Sequence, residues 1–165
     1  MTLKGKAHKF GDDVNTDYII SGRYKFKTLD MEELARHVME DLDPQFHSRL
    51  EPGDFIVAGK NFGCGSSREQ APLALKHAGV AAVLARSFAR IYFRNSINNG
   101  MAALGCDTSL IQDGDVLEVD LGRGKIKDLT NSLELTTAPL PQVMLDILSE
   151  GGLVPYIVKH GSLKT

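Results

Sequence analysis

The residues best suited to chemistry sit in one run, Gly59-Lys60-Asn61-Phe62-Gly63-Cys64-Gly65-Ser66-Ser67-Arg68-Glu69-Gln70. A serine hydroxyl is a nucleophile or base once its oxyanion is stabilised, and the Arg68 guanidinium is a planar fork matched to a carboxylate. Gly59, Gly63 and Gly65 let the backbone take φ > 0 and come close to a ligand. The run leaves an apolar segment and enters a helical one, where unpaired N–H groups and the helix dipole favour an anion. A plainer reading also fits. Ser66-x-x-Glu69 and Ser67-x-x-Gln70 satisfy the capping-box spacing, so the serines could do no more than start a helix. Pro72 complicates that, because a proline past the first helical residue usually removes a backbone hydrogen bond. A phosphate loop is disfavoured, since Lys60 precedes the glycines and no Lys-Ser/Thr pair closes them.

Elsewhere the signals are weaker. Arg86, Arg90 and Arg94 recur every four residues, which predicts a stripe on one helical face, either solvated or in contact with an acidic substrate or another protein. His8, His37, His47, His77 and His160 show no metal-ligand spacing. Asp12, Asp13 and Asp17 do not follow the calcium-loop pattern, and Asp17 reads as a loop organiser. Cys64 and Cys106 read as small packing thiols, so a disulfide scaffold is not expected and a reducing cytoplasm is.

The elements that must position these residues follow the apolar pattern. Lys4 to Phe10 reads as an opening strand, and Gly11 to Thr28 as a long polar segment without a period, a kind of stretch that usually binds something. Asp30 and Glu33 form a capping box for a helix carrying Leu34, Val38 and Leu42 on one face. Phe55 to Ala58, Val80 to Leu84 and Met101 to Leu104 read as buried strands, separated by helices ending near Ala78 and Asn98. That order predicts a small parallel sheet with right-handed crossovers, flanked by helices. Val116–Leu121, Lys125–Leu129 and Leu133–Thr137 read as short strands joined by tight turns, an antiparallel β addition. A final helix is expected from Pro141 to Glu150, stopped by Gly151-Gly152. The fold class is α/β, and 165 residues fit a single domain spanning 1–165. No apolar run approaches the roughly 20 residues of a membrane span. With 19 basic against 21 acidic side chains, no electrostatic footprint for nucleic acid is present.

Gly63-Cys64-Gly65-Ser66-Ser67-Arg68-Glu69 resembles the G-x-G-S-S-R-E signature of the swivelling domain of aconitases and isopropylmalate isomerases. Asn15-Thr16-Asp17-Tyr18-Ile19-Ile20 resembles that family's N-T-D-x-I-x loop, and Ala85-Arg86-Ser87-Phe88-Ala89-Arg90-Ile91 its A-R-S-F-A-R-I segment. With Gly151-Gly152-Leu153 the similarity covers nearly the whole chain. The resemblance implies a β/β/α swivelling domain and the small, substrate-recognising subunit of a hydro-lyase in leucine biosynthesis. In such enzymes a hydroxy-di- or tricarboxylate loses water and regains it on the neighbouring carbon. A [4Fe-4S] cluster acts as Lewis acid on the hydroxyl while a serine alkoxide takes the carbon-bound proton. By position, Ser66 is the implied base, Ser67 a hydrogen-bond donor to substrate, Arg68 the carboxylate grip and Glu69 a residue that orients Arg68.

A cluster needs three or four thiolates, and the chain has two cysteines. No cofactor or metal is therefore expected on this chain, and the cluster is expected on a large subunit in a heterodimer or heterotetramer. Whether the isolated chain self-associates is left open. The loop after N-T-D is the implied reader of the substrate's side group, here Tyr24, Lys25, Phe26, Lys27 and Thr28. An extended segment would set Phe26 opposite Lys25 and Lys27. In the commoner family pattern Leu follows the Tyr; Lys25 departs from it. Phe26 inclines the reading to an alkyl-substituted malate, isopropylmalate first, with homoaconitate, dimethylmalate and citramalate as alternatives. A non-catalytic carboxylate-binding module is the reading from another class.

Overall fold

The structure, a computed structural model, describes residues 1–163 without the side chain of Lys25. Seven strands form one sheet: β1 (Thr2–Lys9), β2 (Phe55–Ala58), β3 (Ala82–Ala85), β4 (Ala102–Gly105), β5 (Val116–Asp120), β6 (Lys125–Asp128) and β7 (Leu133–Thr136), in the order β4-β3-β2-β1-β5-β6-β7. β1 to β4 run parallel, whereas β5 joins β1 antiparallel and leads into the β5–β6–β7 meander. β1 changes partner along its length, pairing Thr2–Lys6 with β5 and Ala7–Lys9 with β2. At the switch, the Lys6 amide donates to the Asp54 carboxylate at 2.9 Å.

The expected parallel sheet with an antiparallel addition is thus present. β2 and β3 are buried at every position, as apolar runs covered on both faces should be. Their side chains alternate between two cores. Ile56, Ala58, Val83 and Ala85 face one that includes Val14, Ile19, Leu34, Phe46 and Phe62. Phe55, Val57, Ala82 and Leu84 face the other, with Leu117, Ile126, Ile147 and Tyr156.

The helices are α1 (Thr16–Ile19), α2 (Gly22–Lys25), α3 (Met31–Ala35), α4 (Phe46–Arg49), α5 (Gln70–His77), α6 (Arg90–Asn98), α7 (Gln142–Ser149) and α8 (Leu153–His160). Several expectations are corrected here. The polar stretch after β1 is not extended: Asn15 caps α1 through Asp17 and Tyr18, and Ser21 caps α2 through Arg23. Lys25 and Phe26 therefore do not alternate as in a strand. Asp30 does cap α3, but that helix stops at Ala35. Met39 has φ +59 and its amide bonds to Ile19, so packing on α1 overrides the continuing apolar period and leaves Leu42 41% exposed. Arg86 lies in the loop after β3 and pairs with Asp107 at 3.8 Å, so only Arg90 and Arg94 share a helix. α8 follows Gly152 where no element was expected; its Pro155 is the third helical residue, where the missing N–H has no partner to lose.

Lys76 near the end of α5 joins three helices. Its ammonium donates to the carbonyls of Asn99, past α6, and Gly151, past α7, at 3.0 and 2.9 Å. A cation at two negative helix ends is favourable on both.

Candidate functional site

Because β1, β2 and β3 are parallel, the segments leaving their carboxyl ends emerge on one side, where open α/β sheets place their ligands. Those segments are the three that carry the sequence signals, and they zip together. Gly63 donates to the Val14 carbonyl at 2.7 Å and Thr16 to the Cys64 carbonyl at 2.9 Å; Phe62 donates to the Ser87 carbonyl at 3.0 Å and accepts from the Ala89 amide at 2.9 Å. Asp12 accepts from the Lys60 amide at 2.6 Å, and Asp13 accepts from Asn61 at 3.0 Å. The first two aspartates therefore brace the loop. Gly59 is required there, since a Cβ would stand 1.8 Å from the Asp12 carboxylate, and Gly63 (φ +79) lies on the Tyr92 ring, where a Cβ would fall 2.1 Å from Cγ. Beneath the loop Phe62 is fully buried, with Tyr92 at 5.2 Å and Phe88 at 6.1 Å between ring centroids. The loop is thereby fastened to the core. The Tyr92 and Ser96 hydroxyls are buried without a hydrogen bond of good geometry, and burial pushes the Tyr92 phenol far up.

Ser66 and Ser67 are both exposed. The helix-capping reading is not realised: α5 begins at Gln70, its N-cap is Glu69, and no side chain caps it. The serines stand in the loop before the helix, free of that duty. Pro72 is the third helical residue and removes no intrahelical bond. The buried Thr16 hydroxyl donates to the Ser66 carbonyl at 2.7 Å, fixing the backbone at the candidate base.

Arg68 is set by the N-T-D loop. Its guanidinium pairs with Asp17 at 2.5 Å and donates to the Ile20 carbonyl at 3.4 Å, leaving 13% of the side chain exposed. Its carboxylate partner is Asp17, not Glu69 as the sequence suggested, because α1 brings Asp17 across the loop. Gly65, Ser67, Arg68, Thr16 and the first turn of α6 line a cavity of about 320 Å³. Sequence reasoning passed over Thr16 and Arg90 here, although both lie within segments it singled out.

The segment expected to read the substrate lies beside Arg68: a Cβ on Gly22 would be 3.8 Å from the Arg68 guanidinium and from Phe26. Phe26 is 84% exposed, Lys27 is exposed and Thr28 half-buried; the Lys25 side chain lies outside the described part of the structure. Tyr24 is engaged inward. Its hydroxyl donates to Glu40 at 2.9 Å, which holds the phenol above its usual range, and its ring stacks on His37 at 3.8 Å.

Burial, then Asp13, pushes the Cys64 thiol up, and burial pushes Cys106 up to about 12, so both rest as thiols in this chain. Among the described residues no group of three His, Cys, Asp or Glu side chains is placed to hold a metal. No helix among them is long and apolar enough to cross a membrane.

A parallel sheet whose carboxyl-end loops assemble an exposed serine pair and a braced arginine is an α/β domain of the aconitase kind. The model of the aconitase C-terminal domain matches residues 19–108, and the chain belongs to that family. Over 164 residues it is 59% identical to the 3-isopropylmalate dehydratase small subunit 2 of Archaeoglobus fulgidus, covering 99% of both chains. It is 51% identical over 157 residues to the methanogen homoaconitase small subunit of Methanothermobacter thermautotrophicus, covering 95% of this chain and 91% of that one. The crystal structure of 3-isopropylmalate dehydratase (leuD) from Methanocaldococcus jannaschii superposes with a TM-score of 0.93 at 47% identity, over 98% of this chain and 96% of that one.

Proposed function

We propose that the chain is the small subunit of a cytoplasmic hydro-lyase that converts 2-isopropylmalate to 3-isopropylmalate in leucine biosynthesis, working only with a large subunit. The observation that carries this is the exposed Ser66-Ser67-Arg68 run, bonded to the Asn15–Asp17 loop at the open end of the parallel strands. A cluster needs three or four thiolates and the chain carries two cysteines, so the [4Fe-4S] group, which supplies Lewis acidity toward the leaving hydroxyl, belongs to the large subunit. On this chain Arg68 grips a substrate carboxylate with the edge of its fork that Asp17 leaves open. Ser67 donates a hydrogen bond to the substrate. The Ser66 alkoxide takes the carbon-bound proton and becomes a hydroxyl; the C–H electron pair becomes the double bond. The substrate hydroxyl leaves with the C–O pair and takes a second proton, supplied from the large subunit's side of the site, to depart as water. Rehydration reverses these transfers with the carbons exchanged, the hydroxyl adding to the carbon that lost its proton and the Ser66 proton going to the carbon that lost its hydroxyl.

The alkoxide is a strong base, and Ser66 itself is exposed in this chain. A docked partner that excludes water, together with the nearby guanidinium, strengthens the electrostatics on which that state depends. Phe26, Lys27, Thr28, Tyr24 and Lys25 form the segment that reads the side group. The exposed Phe26 favours an alkyl group. Homoaconitate is the second reading, favoured by the homoaconitase relative at 51% identity.

The test is reconstitution with a cluster-loaded large subunit, followed by assay of isopropylmalate, homoaconitate, dimethylmalate and citramalate. Isopropylmalate should give the highest kcat/KM, and Ser66→Ala should abolish turnover without weakening assembly. Full activity in Ser66→Ala would overturn the assignment of the base.

A further inference from the structure

We infer that Arg90 holds the second carboxylate of the substrate, across the cavity from Arg68. The inference rests on the proposed function in one respect, that the substrate carries at least two carboxylates. Among the residues lining the cavity there are two arginines and no acid. The first, Arg68, is committed on one edge to Asp17 and the Ile20 carbonyl. Asp17 therefore balances one positive charge and leaves the other uncompensated. Arg90 is exposed and, among the described residues, has neither an ion pair nor a side-chain hydrogen bond. A pair of like charges bordering one cavity is unfavourable until an anion joins them.

Position supports the reach. Arg90 is the first residue of α6, and helical side chains lean toward the amino end, which here opens on the cavity. Arg90 also borders a larger groove of about 690 Å³, lined by Phe93, Val143, Met144 and Ile147; Arg94 borders that groove and does not line the cavity. One turn of helix thus separates an arginine at the substrate from one that is not. Arg68 and Arg90 together give two forks for two carboxylates, with Ser67 lining the same cavity.

The reconstituted complex tests this with Arg90→Gln, and with Arg94→Gln as the neighbour that should change nothing. Charge-assisted hydrogen bonds of this kind predict a KM for 2-isopropylmalate raised about 10- to 100-fold in Arg90→Gln, with kcat changed less and partial recovery in Arg90→Lys. Calorimetry then separates this inference from the function it rests on. The complex is titrated with isopropylsuccinate, a dicarboxylate that cannot be dehydrated, and with the monocarboxylate 4-methylpentanoate. Arg90→Gln should weaken the dicarboxylate by at least tenfold and leave the monocarboxylate unchanged. Equal weakening of both, or a KM within twofold of wild type, overturns the inference. So does a loss that disappears at saturating large subunit, which would make Arg90 a docking residue. A wild-type complex that binds isopropylsuccinate through Arg90 but turns over no hydroxy acid would overturn the function and leave this inference standing.

Discussion

Where β1, β2 and β3 end, the bonds that shape the chain join residues about fifty apart. Thr16 reaches Ser66 and Lys60 reaches Asp12, separations of 50 and 48 residues. In the β5–β6–β7 meander the turns are closed from within. Asp120 accepts from Gly122 and Arg123, and Asp128 from Thr130 and Asn131, two or three residues on. Asx turns of this kind form from local sequence alone. The loops at the parallel end exist only once the sheet has brought three segments together, and they leave Ser66 and Ser67 exposed. The candidate site sits where the structure is non-local, and the meander supplies a frame.

The sharpest challenge to this contrast is a matched pair of alanine variants in the reconstituted enzyme. Ser66→Ala should lower kcat by about 10²- to 10⁴-fold, and Lys127→Ala on β6 should leave it within twofold. A comparable loss in both would erase the distinction. Next in size is a pair of glycines with similar backbone. Gly63 has φ +79 and Gly114 φ +86, but a Cβ collides with Tyr92 at the first and meets nothing within 4 Å at the second. Gly114→Ala should cost about 1 kcal/mol for conformation alone, and Gly63→Ala about 1–3 kcal/mol more for overpacking, read from urea midpoints. Equal costs would mean that the site loop yields as easily as a surface turn.

A smaller effect is expected from Thr16→Val. Leaving the Ser66 carbonyl without its donor should destabilise the fold by roughly 1–2 kcal/mol and lower kcat as well, whereas Thr130→Val should touch stability only. Unchanged turnover in Thr16→Val at a temperature where it is folded would separate loop order from catalysis. The mildest test is pH. Burial pushes the Asp54 carboxyl up, but the His8 imidazole and the Lys6 and Glu51 amides outweigh it and hold the group below its usual range. A folded value lower than the unfolded one gives stability that is present above about pH 4 and is lost as pH falls through the folded value. Denaturation midpoints from pH 7 to pH 3 should therefore decline below pH 4, less steeply in Asp54→Asn. Identical slopes would show that the acid sensitivity lies elsewhere.

The strands were legible because burial on both faces leaves an apolar run, as in Phe55–Ala58, and because Asx and glycine turns punctuate the meander. The three signature segments were legible as words, and so was the parallel order that brings their loops together. What escaped is what depends on that meeting. The capping-box spacing of Ser66 and Ser67 was real, but the loop's bonds to Val14 and Thr16 delay the helix to Gln70. Glu69 was the nearest acid to Arg68 in sequence, whereas α1 presents Asp17 in space. The apolar period through Leu42 promised a longer helix than one fastened to Ile19 at Met39 can be. Arg86 fell on the arginine period but before the helix began. The four residues of α2 carried too little pattern to stand out, whereas the tail helix α8, with Leu153, Tyr156 and Ile157 at helical spacing, was passed over because Gly151-Gly152 read as the end of the last element.

The ammonium of Lys76 has a further consequence for the working face. α5 and α6 each start beside the cavity at the candidate site and run about 12 Å away from it, and this one cation clamps their remote ends to each other and to the tail. Acetylating Lys76, which removes the charge, loosens both bonds at once, whereas clipping the chain before Gly151 leaves the Asn99 bond in place. A small splay there is carried forward along two levers, so that turnover would suffer from damage done at the opposite pole of the molecule.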